Sequence, residues 1–328
     1  MSDKIRFGIL GCSAIGEKSI IPAIMSANKA QLYMIGSRSN SKAKRFAKKF
    51  SCELNGNYEQ VLENSKVDAV YISLPPSLHE KWIIKAAKSR KHIICEKPTS
   101  LSIKSAKKIV KECKNNHVQI IENFAFRVHP QQTRILELIK SNSIGVVNHF
   151  HGNYSFNLNS SKNNFRLNKK VGGGVLNDVS CYLINASRLI FNEKPTAVFC
   201  DLEYKNGIDI RGNIFIKYHD KTAACFFSYD DYFQSFYNIH GKNGIIQAER
   251  AFNVNKNMKS IINIKKNDKV KKITIKPADK FKILIDTFCN EIINFDSKKI
   301  DFENELVMQA KIIEAARRST SLKKIIKI

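Results

Sequence analysis

The chain has 328 residues, of which 43% are hydrophobic and 26% are charged, and its formal net charge is +26. This length and composition suit a globular protein with two domains and exclude a disordered chain. No apolar run approaches the ~18 residues of a membrane span, and the polar start at Met1 does not have the form of a signal peptide. We therefore expect a cytoplasmic protein that does not bind membranes.

The positive charge would indicate nucleic-acid binding in a small domain. Here the lysines are spread over predicted helix faces and a predicted hairpin around residues 265–272, and no recognised nucleic-acid motif accompanies them. A lysine-rich composition is the simpler explanation, and a positive field that attracts an acidic substrate such as a nucleotide sugar is the alternative. We expect no nucleic-acid partner.

The eight cysteines are scattered, and none forms a Cys-x-x-Cys pair. This spacing favours reduced thiols and predicts neither a structural zinc site nor any other metal site.

Residues 4–10 read as a strand, and the turn from Gly11 to Gly16 follows it directly before a helical pattern. Strand, glycine turn and helix are the context of the dinucleotide fingerprint, although Ser13 replaces its middle glycine. We expect backbone from Gly11, Ser13, Ala14 and Ile15 to approach a pyrophosphate at the helix N-terminus. A plain strand-to-helix turn is the alternative.

The next predicted strand, residues 31–37, ends where an NAD-binding chain usually carries an acid for the ribose hydroxyls. The sequence has Ser37, Arg38 and Ser39 instead, and no Asp or Glu occurs from residue 33 to residue 51. Arg38 and the hydroxyl of Ser37 suit a 2′-phosphate, so the sequence favours NADP over NAD. Alternatively, Arg38 merely starts the basic helix 41–50.

Strands and helices alternate through residue 122, with further strands at 69–73, 92–95 and 118–122. This alternation predicts a doubly wound parallel sheet whose turns open on one edge. We expect that edge to gather cofactor contacts from Leu74, Pro75, His79 and Asn123. His79 is more often a helix-start residue than a catalyst.

The strand from His92 ends on Glu96-Lys97-Pro98, because the proline removes a ladder donor and restricts Lys97. A lysine at the carboxyl edge of such a sheet can donate to a carbonyl or alkoxide oxygen during hydride transfer. We therefore predict that Lys97 is catalytic and that Glu96 and Lys97 also contact the cofactor. An isolated motif of this kind would more often be a solvated lysine after a strand.

The second half has several consecutive strands between residues 146 and 276 and two closing helices at about 279–294 and 303–319. The predicted fold is therefore an α/β Rossmann domain at residues 1–123 followed by an α+β domain at 124–328, built on a large, mostly antiparallel open sheet.

A helix in the second half opens on the triple glycine at 172–174 and carries Asp178 and Tyr182 four residues apart. They share one helix face, and a tyrosine near a lysine can act as a general acid. We predict that both are catalytic. A core tyrosine is the alternative for Tyr182, and Arg166 either reaches the same cleft to contact the cofactor or lies on a loop.

With these motifs at these spacings, the chain resembles the Gfo/Idh/MocA oxidoreductase family over nearly its full length. The resemblance implies a nicotinamide dinucleotide on the Rossmann domain, a catalytic lysine at Lys97, and a homodimer or homotetramer through the second sheet. Many members have a histidine at the position of Tyr182 and often an aspartate at that of Asn185, which argues against an inositol-dehydrogenase-type mechanism.

Tyr182 places the chain with the tyrosine-bearing branch, and residues 122–131 are especially similar to the 3-ketoreductases of deoxysugar biosynthesis. The resemblance implies that NADPH reduces the 3-keto group of a nucleotide-linked hexose, with Tyr182 as proton donor, Lys97 polarising the oxygen and Asp178 holding the substrate or the tyrosine. An NADP-dependent dehydrogenase of free aldoses or trans-dihydrodiols is the second interpretation. A non-catalytic dinucleotide-sensing or nucleic-acid-binding protein is the third, and His129 is the next candidate donor.

Overall fold

The structure, a computed structural model, describes residues 4–158, 164–294, 301 and 303–328. The chain divides into two compact units. The first contains residues up to Ala125 together with Lys280–Val307, and the second contains Phe126–Asp279 and Met308–Ile328.

The first unit is built on a six-stranded parallel sheet with the strand order β3-β2-β1-β4-β5-β6. Its central strands are continuous apolar runs, as expected for a sheet covered on both faces. The strands are β1 (Ile5–Leu10), β2 (Ala30–Gly36), β3 (Leu54–Gly56), β4 (Ala69–Ile72), β5 (His92–Cys95) and β6 (Ile120–Glu122).

The helices of this unit connect the strands and cover the sheet. Two of them begin after serine N-caps, α2 after Ser39 and α5 after Ser102. The helices are α1 (Ile21–Ser26, preceded by a π-helical turn at Gly16–Ile20), α2 (Asn40–Lys49), α3 (Tyr58–Glu63), α4 (His79–Lys88) and α5 (Ile103–Asn115).

The segment Lys280–Val307 belongs to the first unit, whereas the predicted domain boundary assigned residues 124–328 to the second domain. Its helix α8 (Lys280–Ile293) packs on the first unit, where the ring of Phe288 lies 6.5 Å from that of Phe7. Asp286 Oδ1 also accepts a hydrogen bond from the backbone N–H of Asn28 at 2.8 Å. The apolar face of α8 fits either domain on sequence alone, so the pattern could not assign it.

The second unit is built on a nine-stranded sheet with the order β14-β13-β12-β11-β7-β10-β9-β8-β15. All its ladders are antiparallel except the one between β7 and β10. The strands are β7 (Val147–Ser155), β8 (Ala197–Lys205), β9 (Ile208–Lys217), β10 (Thr222–Ser228), β11 (Gln234–Gly241), β12 (Gly244–Ala248), β13 (Ser260–Lys266), β14 (Lys269–Ile275) and β15 (Ile326–Lys327).

One face of this sheet is covered by helices. Buried residues alternate with exposed ones along β8 and β9, so each strand turns one side to the helices and the other to solvent. Gln309 Nε2 donates to the carbonyl of Cys181 at 3.0 Å and joins two of the helices. They are α6 (Pro130–Lys140), α7 (Cys181–Phe191, preceded by a π-helical turn at Leu176–Ser180) and α9 (Met308–Leu322).

The described residues have three further properties. None of their helices is long and apolar enough to span a bilayer. The eight cysteines are all free thiols. Among the described positions, no group of three or more His, Cys, Asp or Glu side chains has the geometry of a metal site.

Candidate active site

The glycine turn after β1 is held by its own backbone and by β4. Gly11 adopts φ +112°, and a Cβ there would lie 3.0 Å from the carbonyl oxygen of Ser73, so the position requires glycine. Ser13, at the middle glycine position, accepts a hydrogen bond from the N–H of Gly16 on its Oγ at 3.0 Å. The serine therefore caps the helix that follows, whose first N–H groups have no intrahelical partner.

The end of β2 lies next to this turn. The thiol of Cys12 contacts the carbonyl of Lys42 at 3.8 Å, which ties the glycine turn to the first turn of α2. Ser37 is buried, its Oγ accepts from the N–H of Ser39 at 3.2 Å, and Arg38 is exposed. Tyr58 is buried, which raises its pKa, and the neighbouring Arg38 opposes this shift. The loop is thus fixed while the Arg38 side chain remains accessible.

His79 joins the loops that follow β4 and β5. It is 1% exposed, its Nε2 lies 2.8 Å from the carbonyl oxygen of Leu74, and its Nδ1 lies 2.9 Å from that of Pro98. Burial lowers the pKa of His79. Because both ring nitrogens are engaged by backbone, the imidazole holds the two loops together.

The carboxylate of Glu96 is held at the end of β5. Its Oε1 accepts from the hydroxyl of Tyr71 at 2.7 Å and from Nδ2 of Asn123 at 2.5 Å. Burial raises the pKa of Glu96, while these donors and the Lys97 ammonium oppose the shift. Lys97 itself is half-buried and is joined to Pro98 by a cis peptide bond. The strand ends of β4, β5 and β6 therefore meet around the motif that carries Lys97.

In the second unit, the triple glycine forms the turn before α7. Gly174 has φ +108°, and a Cβ there would lie 2.1 Å from Oδ1 of Asp209. The other carboxylate oxygen of Asp209 accepts from the N–H of Leu176 at 2.7 Å and caps the helical segment. The glycine is required so that this cap can approach the backbone.

Asp178 is held by two side chains from outside its helix. Its Oδ2 accepts from Nε of Arg166 at 2.6 Å and from the hydroxyl of Tyr229 at 3.0 Å. Burial disfavours the charge on Arg166, but the Asp178 carboxylate outweighs this effect and the pKa of the guanidinium is raised. The negative charge of Asp178 is therefore balanced within the second unit.

Tyr182, four residues further, is half-buried within a cluster of aromatic rings. Its ring centroid lies 5.4 Å from that of Tyr154, 5.6 Å from that of Phe252 and 6.1 Å from that of Phe126. These rings fix the orientation of the phenol and form an apolar wall beside it. Tyr182 is thus a partly accessible tyrosine in an aromatic setting.

The structure brings the sequence-derived candidates together within each unit. In the first, the glycine turn, the end of β2 and the loops after β4, β5 and β6 lie at the carboxyl edge of one sheet. In the second, Arg166 reaches Asp178, one turn before Tyr182. Sequence reasoning missed three residues: Tyr71 and Tyr229, which hold the two carboxylates, and Asp209, which caps the helix. They lie on other strands, and no local signal marks them.

Comparison with known proteins decides the family. The family model described as "Oxidoreductase family, NAD-binding Rossmann fold" matches residues 5–124, and the GFO/IDH/MocA C-terminal domain matches residues 133–247. The chain belongs to the GFO/IDH/MocA oxidoreductase family. The resemblance, the fold class and the prediction of an oxidoreductase are thereby confirmed.

Several proteins similar to the chain are named for reactions on sugars. A D-xylose 1-dehydrogenase (NADP(+)) from Haloferax volcanii is 30% identical, covering 96% of this chain and 97% of the relative. A dTDP-3,4-didehydro-2,6-dideoxy-alpha-D-glucose 3-reductase from Saccharopolyspora spinosa is 26% identical over 98% of this chain and 100% of the relative. The crystal structure of a 3-ketoreductase from Actinomadura kijaniata, in complex with TDP-benzene and NADP, has a TM-score of 0.88 at 25% identity, over 96% of this chain and 98% of that one.

Proposed function

We propose that the protein catalyses the NADPH-dependent reduction of the 3-keto group of a nucleotide-linked hexose or deoxyhexose. The observation that carries the proposal is the half-buried phenol of Tyr182, one turn after a carboxylate that is held in place by Arg166. Full-length relatives that reduce a dTDP-linked keto sugar support it. The net charge of +26 suits an anionic substrate.

The residues of the first unit fit a nicotinamide dinucleotide with a 2′-phosphate. Gly11 leaves room where a Cβ would meet Ser73, and the adjoining helix start offers N–H groups to a pyrophosphate. Arg38 is exposed beside the hydroxyl of Ser37 and can pair with the phosphate. We assign the remaining cofactor contacts to Ala14, Ile15, Leu74, Pro75, Glu96, Lys97 and Asn123, whereas buried His79 supports the loops that carry them.

When bound, the reduced nicotinamide supplies the hydride. The carbonyl carbon of the substrate would accept this hydride, and its oxygen would then need a proton. We assign that proton to the hydroxyl of Tyr182, which is then reprotonated from water. We assign to Lys97 the stabilisation of the negative charge that develops on the carbonyl oxygen. Asp178 and Arg166 fix the helix turn that carries Tyr182.

A second candidate function is the NADP-linked oxidation of a free aldose. The 30% identical xylose dehydrogenase favours it, and the same residues would run the reaction in reverse, with Tyr182 as the base. A trans-dihydrodiol dehydrogenase from Xenopus tropicalis, 25% identical over 67% of this chain, extends this alternative to dihydrodiols.

Two assays with purified protein separate these functions. The first follows the loss of nicotinamide absorbance with NADPH and a thymidine-diphosphate 3-keto-6-deoxyhexose, and the second follows its gain with NADP and D-xylose or a trans-dihydrodiol. We expect turnover mainly in the first. Turnover confined to the second would replace the proposal with the dehydrogenase, and NADPH binding without either reaction would favour a non-catalytic sensor.

Lys97→Ala and Tyr182→Phe should each reduce kcat by about 10²-fold or more, the scale of positioned acid–base groups. Lys88→Ala is the matched control for the lysine, because Lys88 is exposed at the end of α4. Unchanged rates in Tyr182→Phe would transfer the donor role to another residue, with His129 tested next.

We also propose that a second copy of the chain covers the open face of the nine-stranded sheet. Phe199 and Phe215 are cross-strand neighbours on that face and are 40% and 43% exposed. Exposed aromatic pairs of this kind are typical of interfaces. Light scattering should report a dimer or tetramer, and Phe215→Asp should shift the population to monomer. A monomeric parent protein would refute the assignment.

A further inference from the structure

Tyr229 contributes to the Asp178 site from the sheet of the second unit. It follows β10, and its backbone N–H donates to the carbonyl of Ile210 at 2.8 Å, so the sheet fixes its position. The side chain is 3% exposed and its ring lies 5.6 Å from that of Phe156. The hydrogen bond to Ile210 and the ring of Phe156 therefore hold the phenol of Tyr229 in position beside Asp178.

The Tyr229 hydroxyl faces two acceptors. It lies 3.0 Å from Oδ2 of Asp178 and 3.2 Å from the carbonyl oxygen of Gly174. A hydroxyl has a single proton, and an ionised carboxylate is the stronger acceptor. The hydrogen bond to Asp178 is the shorter one, in agreement with this preference.

The charges around this hydroxyl keep it protonated. Burial and the charge of Asp178 raise the pKa of Tyr229 well above its usual range, Arg166 opposes the shift, and Asp209 adds to it. Tyr182 is a further titratable group in this region, and it interacts electrostatically with Arg166. With Arg166 charged and Tyr229 neutral, the Asp178 carboxylate has one cationic donor and one neutral donor on the same oxygen.

We propose that Tyr229 is a positioning residue, whose hydroxyl together with Arg166 fixes the ionised Asp178 carboxylate one turn before Tyr182. The inference rests on the proposed function, in which Tyr182 transfers the proton. Asp178 is the group through which Tyr229 acts, because Tyr229 is buried and its hydroxyl is directed at that carboxylate and at Gly174.

A double-mutant cycle tests whether Tyr229 acts on kcat through Asp178. Tyr229→Phe keeps the ring and removes one hydrogen bond to a charged group, a type of bond worth about 1.5–3 kcal/mol, so kcat should fall by about 10- to 100-fold with little change in KM. In an Asp178→Asn background, Tyr229→Phe should change kcat by less than about two-fold, because the acceptor charge is already lost. Equal losses in both backgrounds would overturn the proposal.

Tyr218→Phe is the matched control. Tyr218 is a fully buried tyrosine of the same unit whose hydroxyl lies 2.8 Å from Oγ of Ser187. It should lose thermal stability to a similar extent and keep its kcat. A kcat loss equal to that of Tyr229→Phe would mean that any buried hydroxyl has the same effect, which contradicts a specific positioning role.

A measurement without substrate separates this inference from the proposed function. In protein labelled with ¹³C at the aspartate carboxyl carbon, the Asp178 signal is assigned by its loss in Asp178→Asn and titrated with pH. A hydroxyl donor favours the ionised carboxylate, so the pKa of Asp178 should rise in Tyr229→Phe and in Arg166→Gln but not in Tyr218→Phe. An unmoved Asp178 titration in Tyr229→Phe overturns the positioning role even if the enzyme is active. Failure of the ketoreductase assay with a shifted titration refutes only the proposed function.

Discussion

Tyr71 in β4 donates its hydroxyl hydrogen to Oε1 of Glu96, which directly follows the neighbouring strand β5, at 2.7 Å. Asn123, after β6, donates to the same oxygen. The ends of β4, β5 and β6 are thus tied to one half-buried carboxylate immediately before Lys97. The hydrogen bonds from Tyr71 and Asn123 to the Glu96 carboxylate hold the segment that carries Lys97 in a fixed orientation.

This arrangement predicts a pH-dependent stability. Burial raises the pKa of Glu96. Between the usual glutamate pKa and this raised value, the folded state therefore keeps a proton that the unfolded state has lost. Its contribution to stability is full below that pKa and falls as pH rises through the raised folded value. We expect Glu96→Gln to unfold a few degrees higher than the parent at pH 8, with a smaller difference at pH 4, measured by thermal denaturation. A larger advantage at pH 4 would contradict the sign.

Arg38 should determine the choice between the two nicotinamide cofactors. Arg38→Ala removes the cation that we assign to the 2′-phosphate, so kcat/KM with NADPH should fall by about 10- to 100-fold while that with NADH changes little. Steady-state kinetics with both cofactors measure this ratio. Lys48→Ala is the control, because Lys48 is an exposed cation near the end of the following helix α2, and it should leave the ratio unchanged. An equal loss with NADH would argue against phosphate recognition.

The sequence predicts the first unit well because its signals are local. The glycine turn after β1, the absence of an acid near Arg38 and the proline that ends β5 each act within a few residues. The short elements β3 and α3 were not predicted, because segments of three and six residues show too little hydrophobic periodicity. His79 could be placed at a helix start, but its proximity to backbone carbonyl oxygens of two separate loops depends on the fold.

In the second unit the helix with Asp178 and Tyr182 could be predicted, while its supports could not. Arg166 was found because it lies close to the glycines in sequence. Tyr229 and Asp209 are 51 and 33 residues away from the groups they bind, and nothing in their surroundings distinguishes them from other strand residues. The placement of α8 on the first unit was missed for the same reason, since an apolar face does not specify its partner.

Gly174 should be intolerant of any side chain. Gly174→Ala combines a strained backbone, at φ +108°, with a Cβ 2.1 Å from the Asp209 carboxylate that caps Leu176, so the free energy of unfolding should fall by about 2 kcal/mol or more. Gly207→Ala is the control, because φ there is +75° and no atom lies within 4 Å of the added Cβ. It should cost about 1 kcal/mol, from backbone strain alone. Denaturant titration measures both, and equal losses would show that the contact with Asp209 is unimportant.

His92 should weaken the first unit in acid. Burial lowers the pKa of His92 from 6.5 to about 4, with the Asp68 carboxylate opposing the shift, and its Nδ1 accepts a hydrogen bond from the N–H of Gln119 at 2.9 Å. Between pH 6.5 and 4 the unfolded chain binds a proton at this residue that the folded state does not. Stability should therefore fall as pH drops through this window, by at most about 3 kcal/mol.

His92→Asn keeps an acceptor for the N–H of Gln119 and removes the titration, so the difference in unfolding free energy between pH 7.5 and pH 4.5 should shrink relative to the parent. His117→Asn is the control, because His117 is exposed and its backbone, at φ +54°, suits asparagine. Urea denaturation at the two pH values measures both variants. The titration of Glu96 changes stability in the opposite direction between these two pH values. Because both variants and the parent retain Glu96, its effect cancels in the comparison. An undiminished acid sensitivity in His92→Asn would exclude His92 as its source.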